Sequence, residues 1–374
     1  MRSVVALLLA SFAGFGAHQR LKVEDLLLTT SAWLNTDHDD DAIAQELKHV
    51  ELTERLSDPV CELLKRDGAG PKTLKALRKL EQRSASLPAP SKPVVISTPR
   101  PSNQEVHQIF EHIVNFVAAY VHGVVDFTCT ADTRLYSKGS REVERILQER
   151  GLGSPSFVEK SQWELSKTVI QHVSYFRGRE SYRILEINGK RQRDSKPQLH
   201  VNAWSSGEFV GTMRMTFAPL SKAQFQWDRW QVVHGKRVAV FTYAVDASHS
   251  HFSIGTNRLI AGVWVRETLM SAYRGLVYAD PQSGVIVRLV AKATSIPNDY
   301  SIEEGNSILN YSDVEISGHG YPLLTSSTAY IRTKQYRSLI KKTFTDYRKF
   351  QADSRLVPSD SIGPNPKRAM KSAQ

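Results

Sequence analysis

From Val125 to Lys349 the chain is written mostly in a period of two, and this leaves it few folds. Val125, Phe127, Cys129, Ala131, Thr133 and Leu135 alternate with Asp126, Thr128, Thr130, Asp132, Arg134 and Tyr136. Side chains of an extended strand point to opposite faces in turn, so this pattern describes a strand with one buried and one wet face. Further strands are expected at 168–177, 181–187, 224–233, 237–245, 260–269, 272–279, 285–294, 307–317, 321–331 and 338–349. Asn188-Gly189, His234-Gly235, Asp280-Pro281-Gln282-Ser283-Gly284 and the glycines at 318 and 320 supply turns between them. Residues 140–150 read as a short helix on an excursion, 190–202 as a polar, basic loop, and Glu208–Phe217 fits either helix or strand. Short strands at this spacing, with few helices between, pair antiparallel. A long meander of them must curl or close to protect its edges. The expected fold class is therefore α+β: a curved antiparallel β-sheet, an open half-barrel, packed on helices and preceded by an N-terminal helical region.

Ahead of the strands the period is that of a helix. In residues 17–86, Asp39, Asp40 and Asp41 precede Ile43, Leu47 and Val50, and acids at a helix start complement the positive end of its dipole. Asp58-Pro59 opens another helix that stops near Gly68. Pro71 opens a third, with Leu74, Leu77 and Leu80 on one face and Lys72, Lys75, Arg78 and Lys79 elsewhere. Residues 87–104 hold Pro88, Pro90, Pro93, Pro99 and Pro101 and read as a partly polyproline-like linker. Ser102 and Glu105 have the spacing of a capping box. The helix behind them sets Val106, Ile109, Phe110, Ile113, Val117, Tyr120 and Val121 on one stripe, suited to lie on a sheet. The β-sheet domain is expected over 105–357, and 358–374 as a disordered polar tail.

At the N-terminus Arg2 precedes the apolar run Val4–Ala10, followed by small residues at Ser11, Ala13, Gly14, Gly16 and Ala17. These are the three parts of a secretory signal peptide, assigned to 1–16, with cleavage after Ala13 or Gly16. The run is too short to span a bilayer, which takes roughly 20 apolar residues. The expected location is the periplasm or the medium. An oxidising compartment permits a disulfide, but Cys61 and Cys129 lie in different units, and two buried thiols fit as well. The net charge of +11 is spread along the chain, with denser patches at Lys190–Lys196 and Arg332–Lys349, so nucleic acid is not the expected partner.

Chemistry-bearing residues occur without the spacing that would make them a site. His38 with Asp39, Asp40 and Asp41 lacks the alternate ligands and closing Glu of a calcium loop. His249 and His251, with Asp246 or His234, would make a zinc site only if the fold gathered them, which is the basis of an alternative reading as a metal-dependent hydrolase. No Gly-x-Ser-x-Gly elbow is present. The Gly68-Ala69-Gly70-Pro71-Lys72-Thr73 turn is like the phosphate-cradling hairpin between two helices, with Ala69 in place of a bulky apolar residue. No catalytic residue, metal ligand or cofactor is assigned. What remains is an aromatic-rich set of strands, from which Phe225, Trp227, Phe241, Tyr243, Trp264 and Tyr278 are expected to line a binding hollow. The same rings also suit a core, and alternation does not choose the face.

Gly207-Glu208-Phe209, Trp227-Asp228-Arg229-Trp230, the Tyr278–Gly284 hairpin and Asp346-Tyr347-Arg348-Lys349-Phe350 carry a resemblance over residues 207–356 to uncharacterised exported bacterial proteins. The hairpin and the closing strand also look like those of the outer-membrane lipoprotein-sorting proteins. That resemblance implies an open, curved antiparallel sheet packed on helices, whose hollow takes acyl chains or serves as a sensor domain. The expected function is a non-enzymatic envelope protein that binds an apolar or lipid-like ligand, or a lipidated partner, and is peripheral to a membrane at most. A protein-interaction scaffold, with the helical region recruiting the partner, is the other alternative.

Overall fold

The computed structural model describes residues 19–36, 40–95, 99–139, 164–192, 208–260, 263–334 and 336–350. The segments read as a signal peptide, as the 140–150 excursion, as most of the 190–202 loop and as the tail lie outside these residues. The chain is α+β, and an eleven-stranded antiparallel sheet that does not close dominates it. Its strands are β3 (Phe127–Gly139), β4 (Glu164–Phe176), β5 (Arg179–Ile187), β6 (Lys190–Arg191), β7 (Gln224–Val233), β8 (Lys236–Val245), β11 (Ala272–Ala279), β12 (Ile286–Thr294), β13 (Ile302–Ile316), β14 (His319–Thr333) and β15 (Tyr336–Lys349). Their spatial order is β6-β5-β4-β3-β15-β14-β13-β12-β11-β8-β7. Two meanders therefore join in mid-sheet, where β3 pairs with β15 from Phe127↔Lys349 to Gly139↔Tyr336.

The predicted strand over 260–269 falls on the second of two paired strands, and the first has no counterpart among the expected strands. β9 (Ser253–Ile260) and β10 (Val263–Met270) form a separate hairpin, from Ile260↔Val263 to Ser253↔Met270. β9 carries Ser253, Gly255, Thr256, Asn257 and Arg258 among its apolar residues, so no alternation marks it. The ambiguous Glu208–Phe217 segment contains a helix, α6 (Gly211–Phe217).

One face of the sheet packs on α5 (Asn103–Gly123) and α6. The Ser102 hydroxyl accepts from the Glu105 amide at 3.2 Å and the Glu105 carboxylate accepts from the Ser102 amide at 2.7 Å, which completes the capping box. The α5 stripe buries Ile109, Ile113, Val117 and Tyr120 against Phe127, Cys129, Ala131 and Leu135 of β3, the face that alternation marked as buried. Each of the larger aliphatic and Phe side chains among them contributes about 1.5–3 kcal/mol of hydrophobic stabilisation.

The opposite face carries the helical region. There α1 (Val23–Thr36), α2 (Asp40–Lys48), α3 (Asp58–Arg66) and α4 (Pro71–Ser84) share a core of Leu26, Leu27, Leu47, Leu56, Leu64 and Leu77. Two short strands, β1 (Gln19–Leu21) and β2 (Val50–Leu52), pair parallel within it. Leu28 of α1 packs on Val233, Val238, Val240, Val290 and Ile308 of the sheet. A bulge aids this contact: register shifts between Trp227 and Arg229 of β7, leaving Asp228 without an opposite residue. Arg229 meets Asp67 at 3.2 Å, and Arg66 meets Asp228 at 3.6 Å. The proline-rich segment also reaches the sheet, since Val95 bridges to Gln231 and Lys92 donates to the Gly235 carbonyl at 3.2 Å.

Lys341 of β15 points to the helical region, near Glu46 of α2 and over the Tyr136 ring at 5.6 Å. Burial pushes its amine down from 10.5 to about 7, against the opposing pull of Glu46. For a lysine whose folded value is depressed, the cost of holding the charge is fully present below the folded value. It is relieved as pH rises from about 7 towards 10.5, because the folded state sheds its proton first. Stability measured by denaturant melts is expected to rise over that interval, and Lys341→Met is expected to flatten the rise. An unchanged slope in the variant rejects the assignment.

Candidate functional site

Four of the six aromatic residues singled out in the strands come together on the α5 face at the β7 edge. Alternation along β7 and β8 does this, with Phe225 opposite Tyr243 and Trp227 opposite Phe241. The bulge at Asp228 restores the phase so that Trp230 joins Trp227, their ring centres 4.8 Å apart. Trp227 stands edge-on to Phe241 at 5.4 Å, and Arg237 lies over Trp230 at 4.4 Å. Phe110 of α5 meets Phe225 at 4.9 Å and Phe241 at 5.6 Å. Phe217, at the end of α6, stacks on Phe225 at 4.9 Å. Phe110, Phe217, Phe225, Trp227 and Trp230 are all half-buried, whereas Phe241 and Tyr243 lie beneath them in the core. Beside this mouth Leu220 is 78% exposed, and Val114, one turn along α5 from Phe110, is 41% exposed.

Tyr278 is not part of this group. It lies on the opposite face with Val240 and Val290, where its hydroxyl is 3.5 Å from Arg229 beneath the helical region. The side chain of Trp264 lies outside the described residues. Tyr243 has a specific structural duty: its hydroxyl crosses β11 at Gly275 and donates to the Val290 carbonyl of β12 at 2.8 Å. Burial raises its phenol well above the ordinary range.

Inward from the mouth the α5 face is filled. Phe209 and Met213 are fully buried, and Phe209 meets Phe127 at 5.1 Å and Phe344 at 4.9 Å. Glu208, the residue before this plug, receives Lys342 of β15 at 3.0 and 3.1 Å. The lysine side chain is fully buried and that of Glu208 is 6% exposed. Lys342 also lies over the Tyr182 ring at 5.4 Å, and Tyr182 donates to Glu180 at 2.8 Å. Sequence reading gave Glu208 a place in a motif but offered no sign of its partner 134 residues away. Phe110 and Phe217 were equally hidden, because helical stripes do not report which strand they meet.

The other constellations resolve differently. His249 sits in a 3₁₀ turn and takes Ser248 at 3.0 Å, so the two histidines are not on one strand. Among the described residues no three of His, Cys, Asp and Glu are placed to share a metal ion. Cys61 and Cys129 are both free and buried, and burial pushes each thiol up to about 12. In the Gly68–Thr73 turn the amides of Lys72 and Thr73 donate to the Asp40 carboxylate at 2.7 and 2.8 Å. An internal carboxylate thus occupies the place where a phosphate would sit, and a Cβ at Gly70 would come within 2.5 Å of it. His38 and Asp39 lie outside the described residues. The Tyr278–Gly284 hairpin is an anchor: the Pro281 carbonyl accepts from His112 Nδ1 of α5 at 3.0 Å, and the Asp280 carboxylate accepts from the Gln282 and Ser283 amides at 3.0 and 2.9 Å.

Comparison with known proteins finds no matching family model, no matching curated protein and no matching solved structure.

Proposed function

We propose that this chain is a non-enzymatic, exported envelope protein that binds an apolar, acyl-like group, free or on a lipidated partner. The group enters at the aromatic mouth between α5, the end of α6 and the β7 edge. One observation carries the reading: five half-buried rings, Phe110, Phe217, Phe225, Trp227 and Trp230, gather at an open sheet edge beside the exposed Leu220. Rings left half-wet in one place retain apolar area that a ligand can still cover. The filled interior behind Phe209 makes this a mouth for one end of a chain rather than a deep tunnel. Export rests on the N-terminal Arg2–Ala17 pattern, and the likeness to lipoprotein-sorting proteins points the same way. Among the described residues no helix is long and apolar enough to cross a membrane.

The test is tryptophan quenching of the delipidated protein by a brominated fatty acid. Saturable quenching is expected, and Phe225→Ala with Trp230→Ala is expected to weaken binding by about tenfold or more, the effect of losing about 1.4 kcal/mol or more of contact. Absence of saturable quenching, or affinity indifferent to both substitutions, overturns the reading.

A further inference from the structure

A second binding surface lies on the helical region, independent of the mouth. A cleft of about 430 Å³ runs between α2 and α4. Ala44, Leu47 and Ala76 form its floor, and all three are buried. Lys48 stands on the α2 side, and Lys72, Lys75, Lys79 and Arg83 stand along α4. Asp41 is the one carboxylate among the lining residues, and it is in contact with Lys72. Lys75 and Lys79 are exposed and have no anionic partner among the described residues. Arg83 is held by backbone oxygens, those of Leu47, Lys48 and Val50 at 3.3–3.4 Å, so its charge is placed without being neutralised.

We propose that this cleft docks a short acidic amphipathic helix of a partner protein. Two small residues on the floor let another backbone come close, and the lysine stems extend the apolar walls. The α4 cations recur at steps of three and four residues over roughly 16 Å of helix. A row of that length matches acids on successive turns of a helix, whereas a single carboxylate or phosphate headgroup presents one charge. A bilayer surface is taken up by protruding apolar side chains, and this floor is recessed between two helices. Bases are taken up by stacking on rings, and no ring lines the cleft. Excess positive charge around a recessed aliphatic floor is the complement of an apolar stripe flanked by Asp and Glu.

The experiment pans a library of helical peptides, random in charge and in apolar pattern, against the full chain, then measures the enriched peptides against charge-reversed variants. Enrichment of acidic amphipathic helices is expected, with binding weakened about tenfold or more by Lys75→Glu with Lys79→Glu, and separately by Lys48→Glu on the facing wall. All three lysines are exposed, so folding is not at issue. Peptides without acidic bias, no enriched peptide, or binding unmoved by both variants overturns the proposal. It is also overturned if phosphatidylglycerol vesicles or a short DNA duplex bind through these lysines while no peptide does.

Discussion

Lys342→Met is expected to lower stability by about 3–5 kcal/mol, because it leaves the Glu208 carboxylate buried without its cation. Glu208→Met removes the other half and is expected to cost a similar amount. Converting both, Glu208→Met with Lys342→Met, is expected to recover most of the loss. Two apolar side chains of similar volume avoid the desolvation that the ion pair suffers inside a core. The pair sits between β15 and the turn that carries Phe209, so its net contribution is more to the placing of that plug than to stability. Urea midpoints of the three variants, read with the wild type at one pH, decide this. Single variants no more disruptive than an exposed lysine change, or a double variant worse than the sum of its parts, would contradict it.

Gly275→Ala is expected to damage the sheet locally, although it adds a single methyl. A Cβ at this position would stand 1.7 Å from the Val290 carbonyl oxygen and 2.7 Å from the Tyr243 hydroxyl. Neither neighbour yields cheaply, since one is the backbone of the adjacent strand and the other is a fully buried ring end. Overpacking of this kind costs about 1–3 kcal/mol or more. The substitution is expected to break the Tyr243–Val290 hydrogen bond and loosen β11 from β12. Hydrogen exchange of the amides in 286–294 measures it directly, and unchanged protection there would refute the argument. Tyr243→Phe isolates the hydrogen bond and is expected to cost only about 1 kcal/mol.

How much of this was legible depends on how local the cause is. The buried face of β3 could be read because the residues of its other face are polar, and the α5 cap because its two partners are three residues apart. β9 escaped because Ser253, Gly255, Thr256, Asn257 and Arg258 leave it no apolar alternation. Tyr273 and Tyr278 are five apart, so parity alone puts them on opposite faces, but nothing local says which face meets α5. Trp227 and Trp230, three apart, should also diverge, and only the bulge at Asp228 brings them together. The proline-rich segment read as a spacer because its contacts with Gln231 and Gly235 are made across more than a hundred residues. The Asp40 cap on α4 is also non-local, reaching across 32 and 33 residues, and from composition was one more solvated acid at a helix start.

The junction of β3 with β15 bears on how this molecule comes into being. The two strands are separated by about 200 residues of chain, and everything between them must exist before they can pair with each other. As the polypeptide is made from its N-terminus, β3 waits with an unmet edge while both meanders take shape on either side of it. The last strand is then a zip fastener: Tyr336–Lys349 slots into the gap and turns two unfinished sheets into one. A chain stopped short of that strand would not be a slightly smaller version of this protein but two raw halves seeking a partner, in each other or in another copy.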